Sequence, residues 1–169
     1  MADVAGLMAR YCDGDSRAFR ALYQEIAPRL QCYLLGMARD PVVAAELVQK
    51  TFLTMHHARA AYIRGADPVP WIYSFAHRAF LADSRRRPPT DTVGDSPVIE
   101  ARLAALAELP PTQREAVVLK FEGKSITEAA EIAGTTISTM KVRTNVGCTA
   151  LDRILSRSTA GTPSEAGVG

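Results

Sequence analysis

Three kinds of residue in this chain could do chemistry, and only one is arranged for it. His56 and His57 are adjacent and His77 stands apart. Neighbours on a helix project about 100° apart, so the pair makes poor joint ligands and no metal site is expected. Cys12, Cys32 and Cys148 are isolated, odd in number and without CxxC spacing. They indicate neither zinc nor a disulfide framework and read as buried or half-buried thiols. No Ser-His-Asp or Cys-His arrangement, paired carboxylates or phosphate-cradling glycine loop stands out, so no catalytic residue, cofactor, small-molecule substrate or enzyme activity is expected. The third kind is the stretch SITEAAEIAGTTISTMKVRTNVG, residues 125–147, whose polar and basic residues sit among small and apolar ones.

That spacing fits a helix-turn-helix. Two short helices cross over a turn of three or four residues; the crossing needs a small residue and the turn favours glycine. Ala130 and Gly134 stand four apart, as this requires. Ser125 to Glu128 reads as a capping box, Gly134 as the stop of the first helix and Thr136 as the cap of the second. Ile126, Ala129, Ala133, Ile137 and Met140 supply the buried side, leaving Ser138, Thr139, Lys141, Arg143 and Asn145 to face outward. Such a helix offers its N-terminal residues to the major groove and its dipole to phosphate. An ordinary helical hairpin has the same spacing, but not the capping box, glycine turn and basic-polar outer face together.

The elements that position this stretch read as all-helical, with apolar residues recurring at three and four between clusters of Gly and Pro. The first helix starts near Asp15 or Ser16 and carries Phe19, Leu22, Tyr23 and Ile26 inward. Pro28 kinks or interrupts it before Leu30, Tyr33, Leu34 and Met37. Asp40-Pro41 starts a second helix to about Arg59, and Pro70 opens a third that ends at Arg85-Arg86-Arg87. PPTDTVGDSPVI, residues 88–99, reads as a flexible linker of very roughly 20 Å between two small helical domains, 1–87 and 100–157. In the second domain a short helix is expected over residues 99–106, another from Pro111 to Gly123, and the last from Thr136 to about Ser156, with Ile137, Met140, Gly147, Leu151 and Leu155 inward. Residues 158–169 read as a disordered tail.

Charge is divided between the halves. Residues 1–87 hold twelve Lys and Arg against eight Asp and Glu; residues 88–169 hold eight against ten. No stretch reaches 18 consecutive apolar residues and no signal peptide opens the chain, so a soluble cytoplasmic protein is expected.

Three segments in this order carry a resemblance. AAELVQKTFL, PVPWIYSFAHRAFLADSRRR and LPPTQREAVVLKFEGKSITEAAEIAGTTISTMKVRTN resemble segments of the bacterial extracytoplasmic-function (ECF) sigma factors, specificity subunits of RNA polymerase. The resemblance runs from about residue 18 to 155. It implies two all-α sigma domains, domain 2 for core polymerase and the −10 element and domain 4 for the −35 element. It implies that Glu46, Leu47, Gln49 and Phe52 face the core enzyme. It implies that Trp71 and Tyr73 stack on melted −10 bases, that Arg78, Arg85, Arg86 and Arg87 hold phosphates, and that the loop at residues 62–69 sets −10 specificity. It implies that Thr136, Ser138, Thr139, Lys141, Arg143 and Asn145 contact the −35 duplex. The partners implied are core RNA polymerase, promoter DNA and an anti-sigma factor, with the free protein monomeric.

Departures from the family pattern keep other readings open. Ala45 and Lys50 stand where acids are common, and Val146, Cys148 and Ala150 where further Arg or Lys are usual. Each lost phosphate contact lowers the salt slope by about 0.9, so weaker −35 binding is expected. A sigma-like adaptor that sequesters an anti-sigma factor without touching DNA, or a dimeric helix-turn-helix repressor, would share parts of the pattern.

Overall fold

The computed structural model describes residues 2–88 and 96–160. Among these residues all regular structure is helical: α1 (Val4–Cys12), α2 (Ser16–Ala38), α3 (Pro41–Ala58), a 3₁₀ turn (Arg59–Ala61), α4 (Pro68–Ser84), α5 (Pro97–Ala107), α6 (Pro111–Phe121), α7 (Ile126–Ala133) and α8 (Ile137–Ala160). The helix starts of α2, α3 and α4 follow one rule. Asp15, Asp40 and Asp67 each accept hydrogen bonds from first-turn backbone N–H groups, and proline follows Asp40 and Asp67 directly. Proline needs no N–H in the first turn and its φ is already helical.

The structure moves several boundaries. α1 was absent from the sequence reading; its cap is Asp3, which accepts from Gly6 N. α4 begins at Pro68 rather than Pro70, because Asp67 is the capping residue. α2 runs through Pro28 without interruption, since its apolar stripe is buried on both sides of the proline, from Leu22 and Ile26 to Leu30 and Tyr33. α5 begins at Pro97, inside the segment read as linker; residues 89–95 of that segment lie outside the described residues. α8 continues to Ala160, past the expected end, and residues 161–169 of the expected tail also lie outside them. Ile137, expected inward, is exposed, whereas Met140, Gly147, Leu151 and Ile154 form the buried seam of α8. Cys32 is exposed rather than buried; Cys12 and Cys148 are half-buried.

The main core is shared by the two halves. Leu22, Ile26, Leu30, Tyr33, Leu34, Leu47, Met55, Ile72 and Tyr73 from the leading half join Val118, Leu119, Ala129, Ala130, Ile132 and Met140 from the trailing half. A smaller cluster of Ala105, Leu109, Val117, Leu151 and Ile154 closes α5 and α6 against α8. Two glycines permit the closest helix approaches. A Cβ on Gly36 of α2 would stand 3.0 Å from Val118 Cγ2 of α6, and one on Gly147 of α8 would stand 2.8 Å from Val117 Cγ2. The two halves are therefore not beads on a string: α6 packs on α2, and α7 packs on α4.

Candidate nucleic-acid interface

The helix-turn-helix is built as its residues dictate. Ser125 Oγ accepts from Glu128 N at 3.1 Å and starts α7. Gly134 takes φ 65°, and its neighbour Thr135 donates to Ala130 O at 3.0 Å, closing the turn. Thr136 Oγ1 accepts from Thr139 N at 3.1 Å and donates to Thr139 Oγ1 at 2.8 Å. Both hydroxyls are thus spent on the start of α8. Ser138, Lys141 and Asn145 are exposed and Arg143 is half-exposed, all clear of the Met140–Thr144–Gly147 seam. The opening of α8 is accessible, and its outward face holds every polar residue that the sequence placed there.

α4 presents a different picture. Arg78, Arg85, Arg86 and Arg87 are exposed, and Arg78 lies 4.7 Å over the Phe75 ring. Trp71 is half-buried, edge-on to Phe75 and 5.4 Å from the Tyr62 ring. Tyr73, expected to stack on bases, is fully buried. Its hydroxyl donates to Glu122 Oε2 at 2.8 Å, and Lys124 Nζ sits 4.5 Å over its ring. Burial and the nearby Glu122 charge push the Tyr73 hydroxyl far above its usual pKa, so it remains a donor. Burial raises the Glu122 carboxyl and lowers the Lys124 amine. In this arrangement Tyr73 cannot meet a base. The preceding loop is held by Tyr62, which donates to Ala66 O at 2.5 Å, and by an Arg64–Asp13 ion pair, while Ile63 stays exposed.

The interface between halves is polar as well as apolar. Glu115, buried in α6, accepts at a single oxygen from Tyr33 at 2.5 Å, and His77 Nδ1 lies 2.6 Å from that same oxygen. Arg39 pairs with Glu100 at 2.6 Å. Arg114 donates to Met37 O near the end of α2 at 2.8 Å and to Leu106 O near the end of α5 at 3.0 Å, a cation where helix ends carry unmatched carbonyls. Three acids of the trailing half, Glu100, Glu115 and Glu122, thus meet partners on the basic leading half. The charge division seen in sequence is partly used inside the molecule.

α3 corrects two expectations. Leu47 and Phe52 lie in the core, at 0% and 4% exposure, so neither faces a partner. The buried positions of α3 are Val43, Ala44, Leu47, Val48, Thr51, Phe52 and Met55, a helical stripe against α2 and α4. Glu46 and Gln49 are exposed on the opposite face, and the apolar residues beside them there are Val42 and Leu53. The clue was in the sequence: Val42, Glu46, Gln49 and Leu53 follow each other at four, three and four. Glu46 also reaches Arg87 at 3.0 Å, joining α3 to the arginines beyond α4. A groove between α2 and α3 lies beside this face, lined by Tyr23, Ala27, Pro28, Ala45, Val48 and Gln49.

Comparison with known proteins decides the family. The Sigma-70 region 2 family matches residues 22–88 and the Sigma-70, region 4 family matches residues 100–149. The RNA polymerase sigma factor CarQ of Myxococcus xanthus is 31% identical over 165 residues, covering 88% of this chain and 95% of CarQ. The chain belongs to the ECF RNA polymerase sigma factors. A further relative, the ECF sigma factor SigF of Caulobacter vibrioides, is 30% identical over 151 residues, 80% of this chain and 84% of SigF. Two solved structures share the fold at 21% identity. One is the sigma factor RpoE in complex with the anti-sigma factor NepR from Bartonella quintana (TM-score 0.75, covering 82% of this chain and 96% of that one). The other is CnrH in complex with the cytosolic domain of CnrY (TM-score 0.79, 90% and 97%). As a sigma factor, the chain directs RNA polymerase to promoters. None of its described helices is long and apolar enough to cross a membrane.

Proposed function

We propose that this sigma factor is a two-armed promoter reader stored folded shut. Its leading arm, residues 1–87, docks core polymerase through the outward face of α3, with Glu46 and Gln49 between Val42 and Leu53. Trp71, Arg78 and the three arginines at 85–87 engage the −10 element, with the loop at residues 62–69 setting its sequence preference. The trailing arm, residues 100–157, engages the −35 element through Ser138, Lys141, Arg143 and Asn145, while Thr136 and Thr139 hold the start of the helix. Tyr73 joins the −10 contacts only after α7 leaves α4.

The observation that carries this reading is the position of Tyr73. A residue on the proposed melting helix is fully buried beneath Glu122 and Lys124 of the other arm. Promoter engagement through it therefore requires opening. The closed form is read as the one that an anti-sigma factor binds, the kind of partner with which RpoE is in complex in the similar structure. The free protein is read as a cytoplasmic monomer that does no catalysis itself; the chemistry belongs to the polymerase.

The test is run-off transcription with core polymerase on a library of genomic fragments. Added protein is expected to produce discrete new start sites that core enzyme alone lacks. A protein that binds an anti-sigma factor yet leaves core enzyme unselective on every fragment is an adaptor, and the reading fails.

A further inference from the structure

Val142 is the large apolar residue on α8 most open to solvent; Val146 and Ile137 are exposed less fully, at 47% and 46%. Val142 is 62% exposed, on a helix whose buried seam is Met140, Thr144, Gly147 and Leu151. Val142 lies two residues from both Met140 and Thr144, about 200° around the helix from each, which puts it opposite the seam. Lys141 and Arg143 lie one step to either side, about 100° away in opposite directions. Ser138 and Asn145 fall roughly a turn before and after it. The outward face thus centres on Val142, with Ser138 and Asn145 roughly 40–60° toward Lys141, Val146 roughly 40° toward Arg143, and a cation on each flank.

That layout matches a major groove, whose floor presents base edges and whose two walls carry phosphates about 12 Å apart. The flanking cations suit the walls and the strip between them suits the floor. Val142 has neither a donor nor an acceptor in its side chain, so it gains nothing from the hydrogen-bonding edges of bases. The apolar group that the groove floor does present is the C5 methyl of thymine. A β-branched residue is also a poor choice for a solvent-facing helix position on propensity grounds. A protein partner would account for Val142 and Val146 but not for the paired flanking cations and the polar Ser138 and Asn145 beside them.

We propose that Val142 is a specificity-determining residue that reads a thymine methyl in the −35 element. The proposal rests on α8 entering the −35 groove, and the experiment separates the two. Holoenzyme, meaning core polymerase with the full chain, is bound to a promoter recovered from the fragment library. Each thymine of the −35 region is replaced singly by deoxyuridine, which deletes only the C5 methyl. One such replacement is expected to weaken binding about fourfold, the size of removing one methyl contact. With Val142→Ser the same replacement is expected to make no difference. Val142→Ala serves the same purpose should the serine variant fail to fold. The proposal is overturned if no deoxyuridine weakens binding, or if the penalty survives in the variants. If scrambling the whole −35 region leaves binding unchanged, the groove reading itself falls, and this proposal with it.

Discussion

The hydroxyl of Tyr73, on α4, donates a 2.8 Å hydrogen bond to Glu122, beyond the end of α6 in the other half of the chain. The pair is clasped from above by Lys124, over the tyrosine ring. A side chain on the proposed −10 helix is thereby committed to an internal partner, and the clasp is a place where closure can be weakened by a single atom.

Tyr73→Phe removes that atom and leaves the half-buried Glu122 carboxyl without its donor. A fully buried unmatched acceptor costs about 1–3 kcal/mol; Glu122 keeps some access to water, so the closed form should lose about 1 kcal/mol relative to the open one. Fluorescence energy transfer between dyes on the two halves reports the change as a longer mean distance. The phenyl ring still stacks, so promoter binding by holoenzyme should hold or improve. An unchanged distance would show that the hydroxyl contributes nothing to closure.

Closure should respond to pH through Glu122. Burial raises its carboxyl above the usual 4.5, against smaller opposing effects of the Tyr73 hydrogen bond, Lys124 and Arg29. The closed form therefore keeps the proton at pH values where the open form has released it. Closure is fully favoured by this group below the open-state value and loses that contribution as pH rises through the closed-state value. The interdomain distance should lengthen as pH is raised from 4.5, and Glu122→Gln should flatten that dependence.

Position on α3 separates docking from folding. Glu46→Lys should slow association with core polymerase, most at low salt, while lowering the melting temperature only slightly through loss of the exposed Arg87 pair. Leu47→Ala should cost about 2–5 kcal/mol of stability, since its side chain is buried and a cavity remains. Leu47→Arg should not fold. Calorimetry beside a polymerase-binding assay distinguishes the three outcomes.

Lys141→Ala and Arg143→Ala should each reduce the slope of log K against log salt for −35 binding by about one. The effect should be uniform across −35 sequences, because a phosphate contact carries no base information. A slope that does not move places that side chain away from the backbone.

Gly36→Ala should have two opposite effects. Alanine favours the interior of α2 by about 1 kcal/mol over glycine. The new Cβ would also press on Val118 at 3.0 Å across the interface between halves. Fluorescence energy transfer should show a more open molecule while an isolated leading half gains helix stability; a more closed molecule would mean that Val118 moves aside freely.

Local structure was legible where a side chain acts on its own neighbourhood. Asp40-Pro41 and Gly134 announced helix boundaries because caps and turns involve three or four consecutive residues. Asp67-Pro68 is the same signal as Asp40-Pro41, and the later Pro70 obscured it. The outward residues of α8 could be read because the helix-turn-helix fixes which side packs. On α3 the burial of Leu47 and Phe52 followed from their period, but family resemblance assigned them outward; a stripe shared with Val43 and Met55 was the better guide. What no pattern could announce was the packing of α6 on α2. Tyr33 and Glu115 meet across 82 positions of sequence, and neither residue differs in type from an ordinary surface pair.

The ion pair between Glu46 and Arg87 ties the proposed polymerase face of the leading half to its proposed DNA face. An enzyme surface that draws Glu46 away leaves Arg87 only its longer 3.4 Å pair with Asp83, and a nucleic-acid strand that takes Arg87 removes the partner of Glu46. Thermodynamic reciprocity makes the two gains equal, whichever visitor arrives first. Both side chains are partly solvent-exposed, so the gain is bounded at about 1 kcal/mol, or roughly fivefold. A bias of that size ranks productive encounters above stray ones while leaving every step reversible.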